Sequence, residues 1–249
     1  MKITRLAVPL LAAMMLNACN SRTVVEPQFE IAALDTLVGT PDWGCRVDYR
    51  FATIRNAAKS PALGAIEQAN IGYFYQIEEP DGPAAEAAEE SLRQIADELR
   101  LPEKPEQAPA WSPGEISVES EGSVADTLLN YAIYRSSYLG GAHGMYTAEY
   151  HTYSLVDGYE LRAADLFGEE RLGPLATQIR RKIYTAYDAT SDEELVEQGF
   201  FPEYIGVTEN FRITPDSIFF YFNPYEIGCY ALGPVEVSFS QQEIEALRP

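Results

Sequence analysis

The hydrophobic pattern divides the chain into alternating strand-like and helix-like runs. From Arg46 to Ile54, Val47, Tyr49 and Phe51 alternate with Asp48, Arg50 and Ala52, which predicts a strand with one buried face. Ser60-Pro61 supplies an N-cap followed by proline at the first helical position, with Leu63, Ile66 and Asn70 on one face of the helix that follows. Ile71 to Ile77 then alternates in and out of aromatic residues, a strand-like period, until Glu79-Pro80-Asp81-Gly82-Pro83 breaks it. Ala84 to Leu101 is the clearest helix, with Leu92, Ile95, Ala96 and Leu99 at helical spacing and three glutamates near its start. The proline-rich stretch Pro102 to Pro113 reads as a crossover with a soft module boundary in it.

Strand periods resume at Ile116-Ser117-Val118-Glu119 and at Leu129, Tyr131 and Ile133. Then comes Tyr138-Leu139-Gly140-Gly141-Ala142-His143-Gly144. Three glycines in five residues require positive φ or a very close backbone approach. Beyond it Tyr146, Ala148 and Tyr150 share one parity, and Tyr153 and Leu155 the other. This predicts a β-bulge near His151. Asp157-Gly158 signals a hairpin, with a return strand from Leu161 that ends at Asp165-Leu166-Phe167. Leu172, Leu175, Ile179 and Ile183 mark a second amphipathic helix, and capping boxes at Ser191–Glu194 and Ser240–Glu243 open two short ones. Ile218 to Phe222 is apolar on both faces and so reads as a central strand. It is paired across Thr214-Pro215-Asp216 and followed by Val235, Val237 and Phe239. The expected fold is α+β: an antiparallel sheet with helices packed on one side, in two modules sharing an interface.

The first 18 residues follow a different logic. Lys2 and Arg5 precede the apolar run Leu6 to Leu16, too short to span a bilayer, and Leu16-Asn17-Ala18-Cys19 resembles a bacterial lipobox. The expectation is a signal peptide over 1–18 and a lipid on Cys19 that holds the protein to a membrane. Asn20, in place of Asp, points by resemblance to sorted lipoproteins toward the outer membrane, facing the periplasm. Residues 19–44 read as a tether with a short edge strand at Phe29-Glu30-Ile31.

Charge narrows the partners. Loss of residues 1–18 leaves 16 of the 18 basic residues against 38 acidic ones, a net −22. Such a protein repels phosphate backbones, so no nucleic-acid partner is expected, whereas a basic protein is electrostatically suited. In an oxidising compartment Cys45 and Cys229 are compatible with a disulfide or with two buried thiols.

The chemistry of the sequence is sparse. His143 and His151 are the only histidines, and a His-x₇-His pair lacks the further ligands that zinc needs. Asp157 and Asp165 could join them only through the fold. No metal site and no cofactor are expected. There is no Gly-x-Ser-x-Gly and no cysteine beside a base, so no nucleophilic constellation appears. His143 reads as the residue that hydrogen-bonds backbone carbonyls and ties down the glycine turn. The candidate binding or turn residues are Tyr138, Gly140, Gly141, His143, Gly144 and Asp165. Tyrosines 131, 134, 138, 146, 150 and 153 could line a groove or pack a strand face.

The Gly140-Gly141-Ala142-His143-Gly144 turn, Asp157-Gly158, Asp165-Leu166-Phe167 and Asn223-Pro224-Tyr225-Glu226-Ile227, in that order, resemble the C-terminal extracytoplasmic domain of the RsiV-type family. Its best known members are lysozyme-sensing anti-sigma factors. Residues 45–112 resemble the module ahead of the catalytic domain in PdaC-type deacetylases, and the RsiV-type domain would span 113–249. The chain has neither the cytoplasmic segment nor the transmembrane helix of the sensing members, so the anti-sigma role does not carry over. The lipobox, the acidic charge and the absence of a catalytic constellation lead to the expectation of a non-enzymatic envelope module that binds a basic protein, lysozyme-like, or a peptidoglycan glycan. The competing expectation is a cell-wall hydrolase or deacetylase that uses His143 with nearby carboxylates.

Overall fold

A computed structural model describes residues 24–40, 43–99 and 113–247. The leader, Cys19 and the Pro-rich stretch up to residue 112 lie outside the described residues. Eight strands and six α-helices are present among the described residues. Strands β1 (Phe29–Thr40), β2 (Trp43–Ile54), β3 (Gly114–Ala125), β4 (Leu128–Tyr138) and β5 (Met145–Ser154) form one sheet in that order. Helices α1 (Pro61–Tyr75) and α2 (Ala84–Leu99) lie between β2 and β3 in the chain. Such a crossover returns the chain in the same direction, so β2 and β3 pair in parallel, while every other pair is antiparallel. The sheet therefore runs across the Pro-rich stretch.

One face of this sheet is covered by helix. Cys45, Val47, Tyr49, Phe51, Leu129, Tyr131, Ile133 and Tyr153 pack with Leu63, Ile66, Ile71 and Phe74 of α1 in a first core. A second core is built from residues after 160 together with Leu128 of β4. There β6 (Phe211–Ile213), β7 (Ser217–Phe222) and β8 (Val235–Ser240) form a small antiparallel sheet with β7 in the centre. Its phenylalanines 211, 220 and 239 pack with Ile179 and Ile183 of α4 (Glu169–Ala186), and α3 (Ala163–Phe167), α5 (Asp192–Glu197) and α6 (Gln241–Glu245) complete the layer. The architecture is α+β. No described helix is long and apolar enough to cross a membrane.

Four local expectations are corrected. Ile71–Ile77 is not a strand, because α1 continues to Tyr75. Leu63, Ile66, Glu67, Asn70, Ile71, Phe74 and Tyr75 recur at three- and four-residue spacing and are buried, so the apparent alternation is the tail of a helical face. Ser60 Oγ accepts from Ala62 N at 3.2 Å, and Gln76 ends the helix in the left-handed region. Second, residues 29–40 are not mostly tether but a strand of twelve residues paired with β2 along its whole length. It is an edge strand exposed on both faces, so backbone pairing holds it and no buried alternation marks it in the sequence.

Third, β5 has no bulge. Its register with β4 runs unbroken from Leu128↔Ser154 to Ser137↔Met145. Residues of both parities are buried by different partners: the Thr152 hydroxyl meets Asn130 and the Phe211 carbonyl of β6, and Tyr153 packs in the first core. Fourth, the turn at Asp157-Gly158 forms, with Gly158 at φ +80° and its N–H on Ser154 O at 2.8 Å, but the return is a single bridge between Tyr153 and Glu160. Asp165 to Phe167 belongs to α3, where Asp165 accepts from Arg162 N at 2.8 Å.

The seam between the cores is made by asparagine side chains. The open edge of β5 is met by two amides. Ala148 N donates to Asn223 Oδ1 at 2.7 Å and Tyr150 N to Asn210 Oδ1 at 2.8 Å, while Asn223 and Asn210 both donate to Ala148 O. In the other direction Asn130 of β4 accepts from Ile213 N and donates to Ile213 O. A primary amide reproduces the donor–acceptor pair of a peptide, so these three asparagines stand in for a neighbouring strand and satisfy a buried edge.

Candidate functional site

The site grows out of the turn between β4 and β5. Gly140 and Gly141 adopt φ +92° and +97°. At Gly144 a Cβ would lie 2.7 Å from Ser137 O, so there close approach, not dihedral angle, excludes a side chain. His143 is exposed. Its Nδ1 donates to Gly144 O at 2.9 Å, and its ring stacks on Tyr230 with centroids 3.6 Å apart and planes 12° apart. The Tyr230 hydroxyl donates to the same carbonyl at 2.8 Å, and that of Tyr138 donates to Gly141 O at 3.3 Å. His143 thus ties down the turn, and it does so from the surface and with a partner 87 residues away in sequence.

Around Tyr230 the rings continue. Tyr146 lies 5.9 Å away edge-on and Tyr225 lies 5.7 Å away tilted. Tyr138, Tyr146 and Tyr225 are 45%, 38% and 50% exposed. Tyr225 is held at φ +74°, third in the turn Asn223-Pro224-Tyr225-Glu226, which is closed by Glu226 N on Asn223 O at 3.1 Å. Proline second and positive φ third is the pattern of a type II turn, where glycine is the usual third residue. A tyrosine there carries on the order of 1–3 kcal/mol of backbone strain, and the surrounding turn holds it. Asn223 does so, through Ala148 and through Glu226, whose carboxylate accepts from Asn223 N at 2.9 Å.

The rings border a cavity of about 460 Å³ on the helix-free face of the sheet. Its walls are Tyr138, Tyr146 and Tyr230, and Asp48 and Glu115 stand at its rim. Arg46, also at the rim, is paired with Asp35 at 3.4 Å. Along the same face Tyr134 and Tyr150 meet edge-on, and Tyr150 meets Tyr221 of β7. The six tyrosines of the sequence pattern thus divide by parity: 134, 138, 146 and 150 line the open face, while Tyr131 and Tyr153, 0% and 1% exposed, are core.

Asp165 caps α3 and has no part in this cluster. The histidine–carboxylate pair is the other one. His151 Nδ1 donates to Glu160 Oε1 at 2.7 Å, its ring stacks on Tyr73 at 3.8 Å, and the Tyr73 hydroxyl donates to Glu160 Oε2 at 2.7 Å. Burial alone would raise the Glu160 carboxyl. The hydrogen bond and charge of His151, then Tyr73 and Arg162, outweigh it and hold Glu160 below the usual carboxylate range. Burial and then Glu160 push the Tyr73 hydroxyl up to about 12. The His151 Nε2 is buried without a hydrogen-bond partner, and the trio clamps α1 onto β5. Arg135 adds to the clamp, bonding Glu149 at 2.9 Å and the carbonyls of Tyr73 and Phe74 at the end of α1. No sequence signal marks this trio, since its members are 9 and 78 residues from His151.

Cys45 and Cys229 are free thiols. Cys45 is in the first core, where burial and then Glu115 push its thiol up to about 11, and Cys229 is in the loop beside Gly199. Among the described residues no three His, Cys, Asp or Glu side chains converge as metal ligands would.

Residues 164–242, which include Tyr225 and Tyr230, match the family model described as "Protein of unknown function (DUF3298)". Over that third of the chain the sequence is similar to the DUF3298 family. No curated protein matches the chain. A DUF3298 family member from Bacteroides fragilis superposes with a TM-score of 0.77 at 22% identity, over 90% of this chain and 94% of that one. A DUF3298 family protein from Pseudomonas aeruginosa superposes with a TM-score of 0.63 at 16% identity, over 91% of this chain and 96% of that one. At these identities the likeness is one of fold. The DUF3298 match supplies one half of the ring cluster, and the glycine turn before it supplies the other.

Proposed function

We propose that the protein is a lipid-anchored binding module of the bacterial envelope, of RsiV-like kind, whose open tyrosine face takes a basic protein ligand. The observation that carries this reading is Tyr225. A half-exposed aromatic ring held at positive φ, against the Tyr230 ring, lowers stability and is retained where the ring is used. Tyrosine supplies contact area at low entropic cost and concentrates at interface hot spots. Asp48 and Glu115 at the cavity rim, and a net charge of −22 after loss of the leader, suit a cationic partner. In this reading Cys19 carries the lipid, the protein faces the periplasm from the outer membrane, and no turnover is involved. The contacts of His143 are Gly144 and Tyr230, and neither is a carboxylate.

The test is binding of the full-length protein to a basic lysozyme and to soluble peptidoglycan fragments by calorimetry, with Tyr225→Gly as the probe. This change removes the ring and suits the turn. It is expected to weaken binding at least tenfold while raising stability by about 1 kcal/mol. Binding of the glycan fragments alone would replace the protein ligand with a glycan. Peptidoglycan turnover that is lost in a folded His143→Ala variant would establish the hydrolase reading instead.

A further inference from the structure

We infer that the anchored protein stands on end, with the ring cluster around Tyr230, the end of its tyrosine face, at the pole farthest from its own membrane. The inference rests on the lipid at Cys19 proposed above. Strand direction carries the argument. The described chain opens at Val24, five residues after Cys19, and five residues span at most about 18 Å. Residues 24–28 are already bound into the body. Val24 and Val25 pack on the first core, Asn56 Nδ2 donates to Glu26 O at 2.9 Å, Gln28 N donates to Asn56 Oδ1 at 2.8 Å, and Arg55 N donates to Gln28 O at 2.8 Å. The tether therefore enters at the start of β1.

The register then fixes the two poles. At the tether pole lie Phe29↔Ile54, Ser123↔Asn130 and Leu128↔Ser154. At the other pole lie Thr40↔Trp43, Cys45↔Gly114, Glu115↔Tyr138 and Ser137↔Met145, and beyond these the glycine turn with His143 stacked on Tyr230. The twelve residues of β1 span about 40 Å, more than twice the reach of the tether. Charge favours the upright pose. Near the tether the exposed Arg55 and Lys59 offset half of Glu26, Glu30, Asp126 and Asp157, whereas the mature protein as a whole carries −22. An anionic lipid surface repels the long sides and tolerates this pole. The ligand of the tyrosine face is then one presented from across the compartment, free or held by the cell wall, and not a lipid of the anchoring bilayer.

The lipidated full-length protein, with Cys229→Ser to leave only the buried native Cys45, is placed in phosphatidylethanolamine–phosphatidylglycerol vesicles that contain a headgroup acceptor dye. Donor dyes go on Ser123→Cys at one pole or Ala142→Cys at the other, both exposed positions. Energy transfer is expected to be several-fold stronger from position 123. Equal transfer, or stronger transfer from 142, on vesicle-bound folded protein overturns the upright pose and leaves the binding reading standing. An unmodified Cys19 by mass spectrometry overturns both the pose and the anchor.

Discussion

Glu67 shows how one residue sets a balance that only the fold reveals. Its carboxylate is 8% exposed, accepts from Thr53 Oγ1 at 2.5 Å and Ile54 N at 2.8 Å, and sits in the first core. Burial raises its pKa, and the two hydrogen bonds offset this only in part. A raised folded pKa means that the native state holds the proton more tightly. The contribution to stability is full below the unfolded pKa and is lost as pH rises through the folded one. Glu160 has the opposite sign: its lowered pKa contributes stability above its unfolded pKa, lost as pH falls through the folded one. Glu67→Gln keeps an acceptor for Ile54 N and a donor to Thr53. We expect it to raise the melting temperature at pH 7 by about 1–3 °C, with the gain vanishing as the pH drops below the carboxylate range. A loss of stability at both pH values in thermal scans would mean that the charge-assisted bonds outweigh desolvation.

At the scale of the element, β1 is an edge strand held by pairing and by one ring. A Cβ at Gly122 of β3 would lie 2.1 Å from the Phe29 ring, so the ring crosses to β3 through a gap that only glycine leaves. Gly122→Ala should swing Phe29 out at a cost of about 1–2 kcal/mol. Hydrogen exchange should show lost protection in β1 while β7 and α4 keep theirs. Protection unchanged in β1 would show that its twelve-residue pairing with β2 suffices. The exposed Ile31, Leu34 and Leu37 explain why this strand reads as tether: nothing in its own pattern separates it from a linker.

For the whole molecule, the three asparagine amides join two cores that otherwise have separate helices and separate sheets. Asn223 also braces the turn that holds Tyr225, so the seam and the ring cluster share a residue. Asn223→Ala leaves Ala148 N buried without its acceptor, and a loss of about 1–3 kcal/mol is expected in urea denaturation. Asn223→Asp should also destabilise, because a carboxylate accepts from Ala148 N but cannot donate to Ala148 O. Two near-neutral variants would show that the seam is held by packing instead.

The sequence by itself determined what local chemistry decides. Ser60-Pro61 starts α1, Ser191 and Ser240 cap their helices, Gly140, Gly141 and Gly158 turn the chain at positive φ, and the doubly apolar β7 is central. These are properties of a few adjacent residues. The tertiary structure decided everything that depends on what covers a face or meets an edge. It made an exposed, weakly patterned stretch into β1 because β2 pairs with it. It buried residues of both parities in β5, Thr152 against β6 and Tyr153 in the first core. It divided six tyrosines into core and open face, and it gave His151 a carboxylate 9 residues on and His143 a ring 87 residues on. Periodicity reports one-sided burial within a segment. It carries no information about partners brought from a distant part of the chain, and the ring cluster is made of such partners.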